Sequence, residues 1–285
     1  MPDSFSKKLD RAFAERGPLC VGIDPHAALL EEAGLAADVS GLEAFALNLL
    51  DQITDVVSII KPQVSFFERF GSAGFAVLEK LLSEAAQRDL LVIADAKRGD
   101  IGSTMDAYTG AWLSKSAPFI CDALTLSPFL GFETLHGAIA TASERGKAVF
   151  VLCSTSNPEG RQIQSAIDEG KTIAEQISAK AIVLNQISAQ SESKYGTVGL
   201  VIGATGNNTK VLDQLANQRG SLRAPILAPG FGTQGAELSQ LKRIFGEVSQ
   251  DVICNVSRDI LSDGLINAGK RATHSQEILN TALAG

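Results

Sequence analysis

Residues 90–97 read LLVIADAK, and Arg98, Gly99 and Asp100 follow at once. Five apolar residues in succession show neither helical spacing nor strict alternation. Such a run suits a strand buried on both faces, as in a parallel sheet. It ends on charge, with Asp95, Lys97 and then Asp100. Asp95 and Lys97 are two apart, so a regular strand points both side chains to the face occupied by Ile93. Opposite charges at the edge of an apolar interior are costly to desolvate unless they pair.

Seven more runs of the same kind flank this one: residues 19–24 (LCVGID), 56–61 (VVSIIK), 123–127 (ALTLS), 148–154 (AVFVLCS), 198–204 (VGLVIGA), 225–229 (PILAP) and 251–256 (DVICNV). Between them lie stretches with helical spacing, at 42–54, 74–88 and 212–219. Strands alternating with helices argue for βαβ units. Eight units predict an α/β fold, the (β/α)8 TIM barrel. An open doubly wound sheet would carry a glycine-rich dinucleotide turn after its first strand, and GIDPH (22–26) is not GxGxxG. The interval from Ser154 to Val198 is long, with helical material at 160–186 and a polar, turn-like stretch at 187–195. A loop or insertion is expected there. No linker or low-complexity segment divides the chain, so residues 1–285 are expected to form a single domain. At the N-terminus Phe5, Leu9 and Phe13 share one helical face, which predicts an amphipathic helix packed on the core rather than a signal peptide.

Composition narrows the function. The chain has 285 residues, 45% apolar and 20% charged, enough for a sizeable core and unlike a disordered chain. A net charge of −7 argues against non-specific binding of nucleic acid, while leaving room for a local cluster of positive charge. Cys20, Cys121, Cys153 and Cys254 are far apart and form no CxxC, so they read as buried thiols in a reducing compartment. The histidines form no HxH or HExxH, so no metal site is expected. No apolar run reaches the ~18 residues of a membrane span. These features lead to the expectation of a cytoplasmic protein.

In a barrel of this type, functional groups gather at the C-terminal ends of the strands. The runs end in Asp24, in Lys61, in Asp95 and Lys97 with Asp100 beyond, in Ser154-Thr155-Ser156, in Pro229-Gly230-Phe231-Gly232, and in Ser257-Arg258. Lys61 is on the strand next to Asp95, which gives an alternating array of Lys61, Asp95, Lys97 and Asp100. The plain alternative is a structural ion-pair cluster closing the barrel top. In APGFGTQG (228–235), glycines let backbone N–H groups approach an anion. Loops after the seventh and eighth strands commonly hold a phosphate. Arg258 would be its bidentate partner, and Gln234 a further donor.

DAKRGDIGST (95–104) resembles the signature of the orotidine 5′-phosphate decarboxylase family, with Asp95, Lys97, Asp100, Ile101 and Thr104. GIDPH with Asp24, IIKPQVSFFERFG with Lys61, SNPEG, APGFGTQG with Pro229 and Gln234, and SRDI with Ser257 and Arg258 resemble further family segments in the same order. The length and spacing are similar to the longer bacterial branch. The resemblance implies a (β/α)8 homodimer that uses no metal or organic cofactor. It implies decarboxylation of orotidine 5′-monophosphate to UMP and CO2, the last step of de novo UMP synthesis, with Lys97 protonating the C6 carbanion. It further implies that Asp100 and Thr104 reach the partner subunit's site. The serine that meets the pyrimidine is assigned to Ser156, with Ser154 and Thr155 as alternatives. A glycine commonly precedes the phosphate-binding arginine, where this chain has Ser257. Four other activities fit parts of this pattern: Mg-dependent sugar-phosphate decarboxylation or hexulose-phosphate synthesis within the same superfamily, a Schiff-base aldolase using Lys97, and simple nucleotide binding.

Overall fold

The computed structural model describes residues 3–187, 193–206, 208–218, 222–233 and 235–284. Its strands are β1 (Leu19–Ile23), β2 (Ile59–Pro62), β3 (Leu91–Arg98), β4 (Ala123–Leu126), β5 (Ala148–Ser154), β6 (Ile167–Asp168), β7 (Lys171–Thr172), β8 (Val198–Ile202), β9 (Ile226–Ala228) and β10 (Val252–Val256). Eight of them close into a barrel in the order β1-β10-β9-β8-β5-β4-β3-β2. Every barrel pairing is parallel. Each apolar run of the sequence supplies one of these strands.

The runs are continuous because the strands bury both faces. Cys20, Ile59, Leu91, Ile93, Phe150, Val201, Leu227 and Ile253 fill the barrel interior. Val21, Ile60, Val92, Leu124, Val149 and Leu200 point the other way and pack under helices that contribute Phe45, Leu49, Leu78 and Leu82. The helix Phe5–Arg16 stops the barrel at the N-terminal ends of the strands. Its Phe5, Leu9 and Ala12 join the interior cluster beside Leu91, Ala123 and Ala148, the first residues of β3, β4 and β5. Phe5 meets Phe150 edge to face, with ring centroids 5.9 Å apart. With that end closed, only the C-terminal end is left as a mouth.

Helices predicted from 42, 74 and 212 begin at Val39, Gly71 and Thr209. At the first of them Asp38 caps the helix, accepting from the Gly41 N–H at 2.9 Å. In the long interval, β6 and β7 form an antiparallel hairpin ahead of the helix Ile173–Ile187. Its turn residues Glu169 and Gly170 both have positive φ, at 49° and 77°, as the type I′ form of a two-residue hairpin requires. All four cysteines are buried and unpaired. Among the described residues, no helix is long and apolar enough to cross a membrane.

Candidate active site

At the mouth, β2 and β3 deliver their charges to one point. Lys61 Nζ lies 2.8 Å from Asp95 Oδ2 and 4.0 Å from Asp24 Oδ1. Lys97 Nζ lies 2.7 Å from Asp95 Oδ1. Asp95 thus bridges two ammonium groups, one on each oxygen. The two differ in exposure: the Lys61 side chain is 5% accessible and that of Lys97 45%. Lys61 is a buried counter-charge, while Lys97 is open to whatever occupies the mouth.

Burial works to raise the pKa of Asp95, but Lys61 and then Lys97 outweigh it and hold the carboxyl well below the usual carboxylate range. For Lys61 burial works downward, and Asp95 and Asp24 reverse it, so its pKa rises above the ordinary lysine value. Deeper in the barrel, burial pushes the Cys20 thiol up to about 12, against the pull of Lys61, so it remains a neutral packing group.

Asp95 and Lys97 meet by a route that simple alternation does not give. The β3–β4 register runs Ile93↔Ala123 and Ala94↔Leu124, then jumps to Arg98↔Leu126. The extra residues bulge, and Lys97 takes a left-handed φ of 49°. For a residue with a Cβ that conformation costs about 1–2 kcal/mol. Thr125, on β4 and fully buried, sits opposite the bulge. It donates to Asp95 Oδ1 at 3.0 Å and accepts from the Lys97 N–H at 2.9 Å. Gln63 adds a second tie, donating to the Asp95 carbonyl at 3.3 Å and accepting from Lys97 Nζ at 3.3 Å. Neither residue was singled out from the sequence. The available signal was a lone hydroxyl inside the apolar run ALTL.

Asp100 does not complete the array within one chain, which corrects the expectation of four adjoining charges. Beyond the bulge the backbone turns outward, and Asp100 accepts from the Ile101 N–H at 2.8 Å. Ile101 is 60% accessible, and Thr104 is exposed on the helix Gly102–Trp112 that follows.

Across the mouth, Ser154 donates to Asn208 Oδ1 at 2.6 Å and Thr155 to Asn157 Oδ1 at 2.7 Å. The first ties the end of β5 to the segment after β8, and the second holds its own loop. Ser156 instead packs on Gly203, where a Cβ would come within 2.6 Å of its backbone nitrogen. It also adjoins Gly230, placing it between the ends of β8 and β9. The Pro229 carbonyl accepts from the Ala204 N–H at 2.8 Å and ties those two ends together.

The loop after β9 curls on itself. The Gly232 N–H donates to the Ala236 carbonyl and the Gly235 N–H to the Gly232 carbonyl, both at 2.8 Å. Those two amides hold the curl. Gly232 packs within 2.9 Å of the Asp259 Cβ, measured from where its own Cβ would stand, so the loop lies on the turn Arg258–Leu261. Arg258 is exposed there, and its neighbour Asp259 is held by Arg271 at 3.2 Å. Gln234 lies outside the described residues. Asp24 Oδ1 and Ser257 Oγ, each one residue past the end of the paired strands β1 and β10, are buried with no hydrogen-bond partner among the described residues. Unused hydrogen-bonding capacity at a barrel mouth suits a ligand rich in hydroxyls.

Residues 17–271 match the model of the orotidine 5′-phosphate decarboxylase / HUMPS family. The chain is 46% identical over 265 residues to the orotidine 5′-phosphate decarboxylase of Streptomyces coelicolor, covering 92% of this chain and 91% of that one. It is 44% identical over 262 residues to that of Corynebacterium glutamicum strain R, with coverage of 92% and 91%. Its fold is similar to a crystal structure of a candidate orotidine 5′-phosphate decarboxylase from Streptomyces avermitilis, with a TM-score of 0.89, 42% identity, and coverage of 99% and 97%. It is also similar to the Leishmania donovani OMP decarboxylase, with a TM-score of 0.75, 28% identity, and 99% coverage of each chain. The chain belongs to the orotidine 5′-phosphate decarboxylase / HUMPS family.

Proposed function

We propose that this protein converts orotidine 5′-monophosphate to UMP and CO2 at the mouth of its barrel, as a homodimer and without metal or organic cofactor. The observation that carries this is the run of ion pairs from Lys61 through Asp95 to Lys97, at 2.8 and 2.7 Å. When the C6–carboxylate bond breaks, its electron pair stays on C6 and CO2 leaves. The resulting carbanion has no good resonance sink, so charge fixed beforehand must stabilise it. The exposed ammonium of Lys97 faces that charge, then gives C6 its proton and regains one from solvent. Asp95 is held ionised nearby, and at an effective dielectric near 20 two unit charges ~4 Å apart interact by roughly 4 kcal/mol. A substrate carboxylate placed beside it is relieved of that repulsion on leaving.

Asp24 and Lys61 are assigned to the ribose hydroxyls, Ser156 and Pro229 to the pyrimidine, and Ser257, Arg258 and Gln234 to the phosphate. Asp100, Ile101 and Thr104 are assigned to the partner subunit's site. In support, Ile101, Phe129 and Leu130 are exposed apolar residues on adjoining loops, which the Ser127 N–H joins to the Arg98 carbonyl at 2.8 Å. The Mg-dependent alternative is disfavoured by a specific contact: the Lys61 ammonium stands between Asp24 and Asp95, where that chemistry needs a cation.

The test is loss of the orotate absorbance when orotidine 5′-monophosphate is added in the presence of EDTA. The wild type is expected to turn over, and Lys97→Ala to fold normally with almost none of that rate. Activity abolished by the chelator, or largely retained in Lys97→Ala, overturns the assignment.

A further inference from the structure

We propose that Thr125 is a positioning residue for this reaction, fixing both Asp95 and the backbone of Lys97. The proposal rests on Lys97 being the proton donor. The Thr125 hydroxyl has one proton and spare lone pairs, and both capacities are used in the array. The proton goes to Asp95 Oδ1 at 3.0 Å, the oxygen that also holds Lys97 Nζ at 2.7 Å. A lone pair takes the Lys97 N–H at 2.9 Å, an amide that the register jump removes from regular ladder pairing. One buried hydroxyl therefore stabilises a left-handed lysine backbone and orients the carboxylate that aims the same lysine's ammonium.

Thr125 needs no contact with substrate to act. Without its hydroxyl, the Lys97 amide loses its acceptor and the bulge is free to relax. The ammonium then loses its fixed place while the groups gripping ribose and phosphate, on other strands, keep theirs. The expected signature is a defect in kcat, with KM and product affinity preserved.

The experiment compares Thr125→Val, Thr125→Ser and Thr125→Ala with wild type in steady-state assays and in calorimetric titration with UMP. Val keeps the shape and removes the hydroxyl, while Ser keeps the hydroxyl and removes the methyl. Val is expected to lower kcat by about 10- to 100-fold, the span of a lost hydrogen bond to a charged group, with KM and UMP affinity within about threefold. Ser is expected to stay within about threefold of wild type. If Val fails to fold, Ala against Ser carries the comparison, with Ala showing the kcat loss and Ser not. Equal kcat in the hydroxyl-free variants and wild type overturns the proposal, as does a matching loss in Ser or a loss expressed in KM. A wild type that releases no CO2 refutes the decarboxylase assignment itself, a different outcome from an active Val variant.

Discussion

Taking Lys61 and Asp95 out of water costs several kcal/mol per ion, and their mutual attraction repays this only with good geometry and further hydrogen bonds. Asp95 has both: two ammonium groups within 2.8 Å and the Thr125 hydroxyl at 3.0 Å. Asp95→Asn keeps the shape but leaves Lys61 buried opposite a neutral amide. Removing one partner of such a pair is expected to cost about 3–5 kcal/mol, measurable as a lower urea midpoint. The pair also sets a pH window. The Asp95 pKa is depressed on folding, so its stabilisation is complete above the unfolded value of about 3.9 and is lost as pH falls toward the folded value. The Lys61 pKa is raised, so its contribution is complete below about 10.4 and is lost as pH rises through the folded value. Between those limits the pair adds no slope. In urea unfolding across pH, the wild-type minus Asp95→Asn difference is expected to stay level through neutrality and shrink in strong acid. A difference that steps near pH 6–7 would contradict this account.

Among the elements, the N-terminal helix offers the cleanest separation of stability from chemistry. Leu9 is fully buried among the first residues of the barrel strands, at the end opposite Lys97. Leu9→Ala leaves a cavity under the barrel, and buried Leu→Ala changes cost about 2–5 kcal/mol. The expected outcome is a clear fall in melting temperature with kcat/KM unchanged at assay temperature; a loss of kcat/KM in still-folded protein would show the helix to be coupled to the mouth. This helix was legible because Phe5, Leu9 and Phe13 repeat at helical spacing. The barrel strands were legible because parallel strands covered on both sides leave continuous apolar runs. Other features left no such trace. A two-residue strand such as β6 is too short for any period to register. The bulge at Lys97 is invisible because alternation assumes regular pleating, whereas the register jump depends on Thr125 from another strand. The curl after β9 escaped for a similar reason: glycines announce freedom of backbone, not which carbonyl each amide will choose.

For the whole molecule, the barrel keeps its closed end for stability and its open end for chemistry. Strand order alone brought Lys61 beside Asp95, since neighbours in the sheet follow from neighbours in the chain, while the expected pairing of Lys97 with Asp95 is reached through the bulge and not by the regular pleat that the sequence suggested. It could not place Asp100 by the same logic, because that residue lies past the strand, on a backbone already turning toward the exposed Ile101. A group drawn from another copy of the chain has no register with the site it completes. Subunit mixing tests whether Asp100 is such a group. Lys97→Ala and Asp100→Ala each remove one component of every site when assembled alone. In a mixed dimer one site carries both defects, while the other joins an intact Lys97 to an intact Asp100 from its partner. Random mixing makes half of the dimers mixed, each with one good site, so about a quarter of wild-type activity is expected from two nearly inactive preparations. Activity that stays at the sum of the separate variants would place Asp100 in its own chain's site, and the outward course of residues 100–104 would then need a rearrangement on substrate binding.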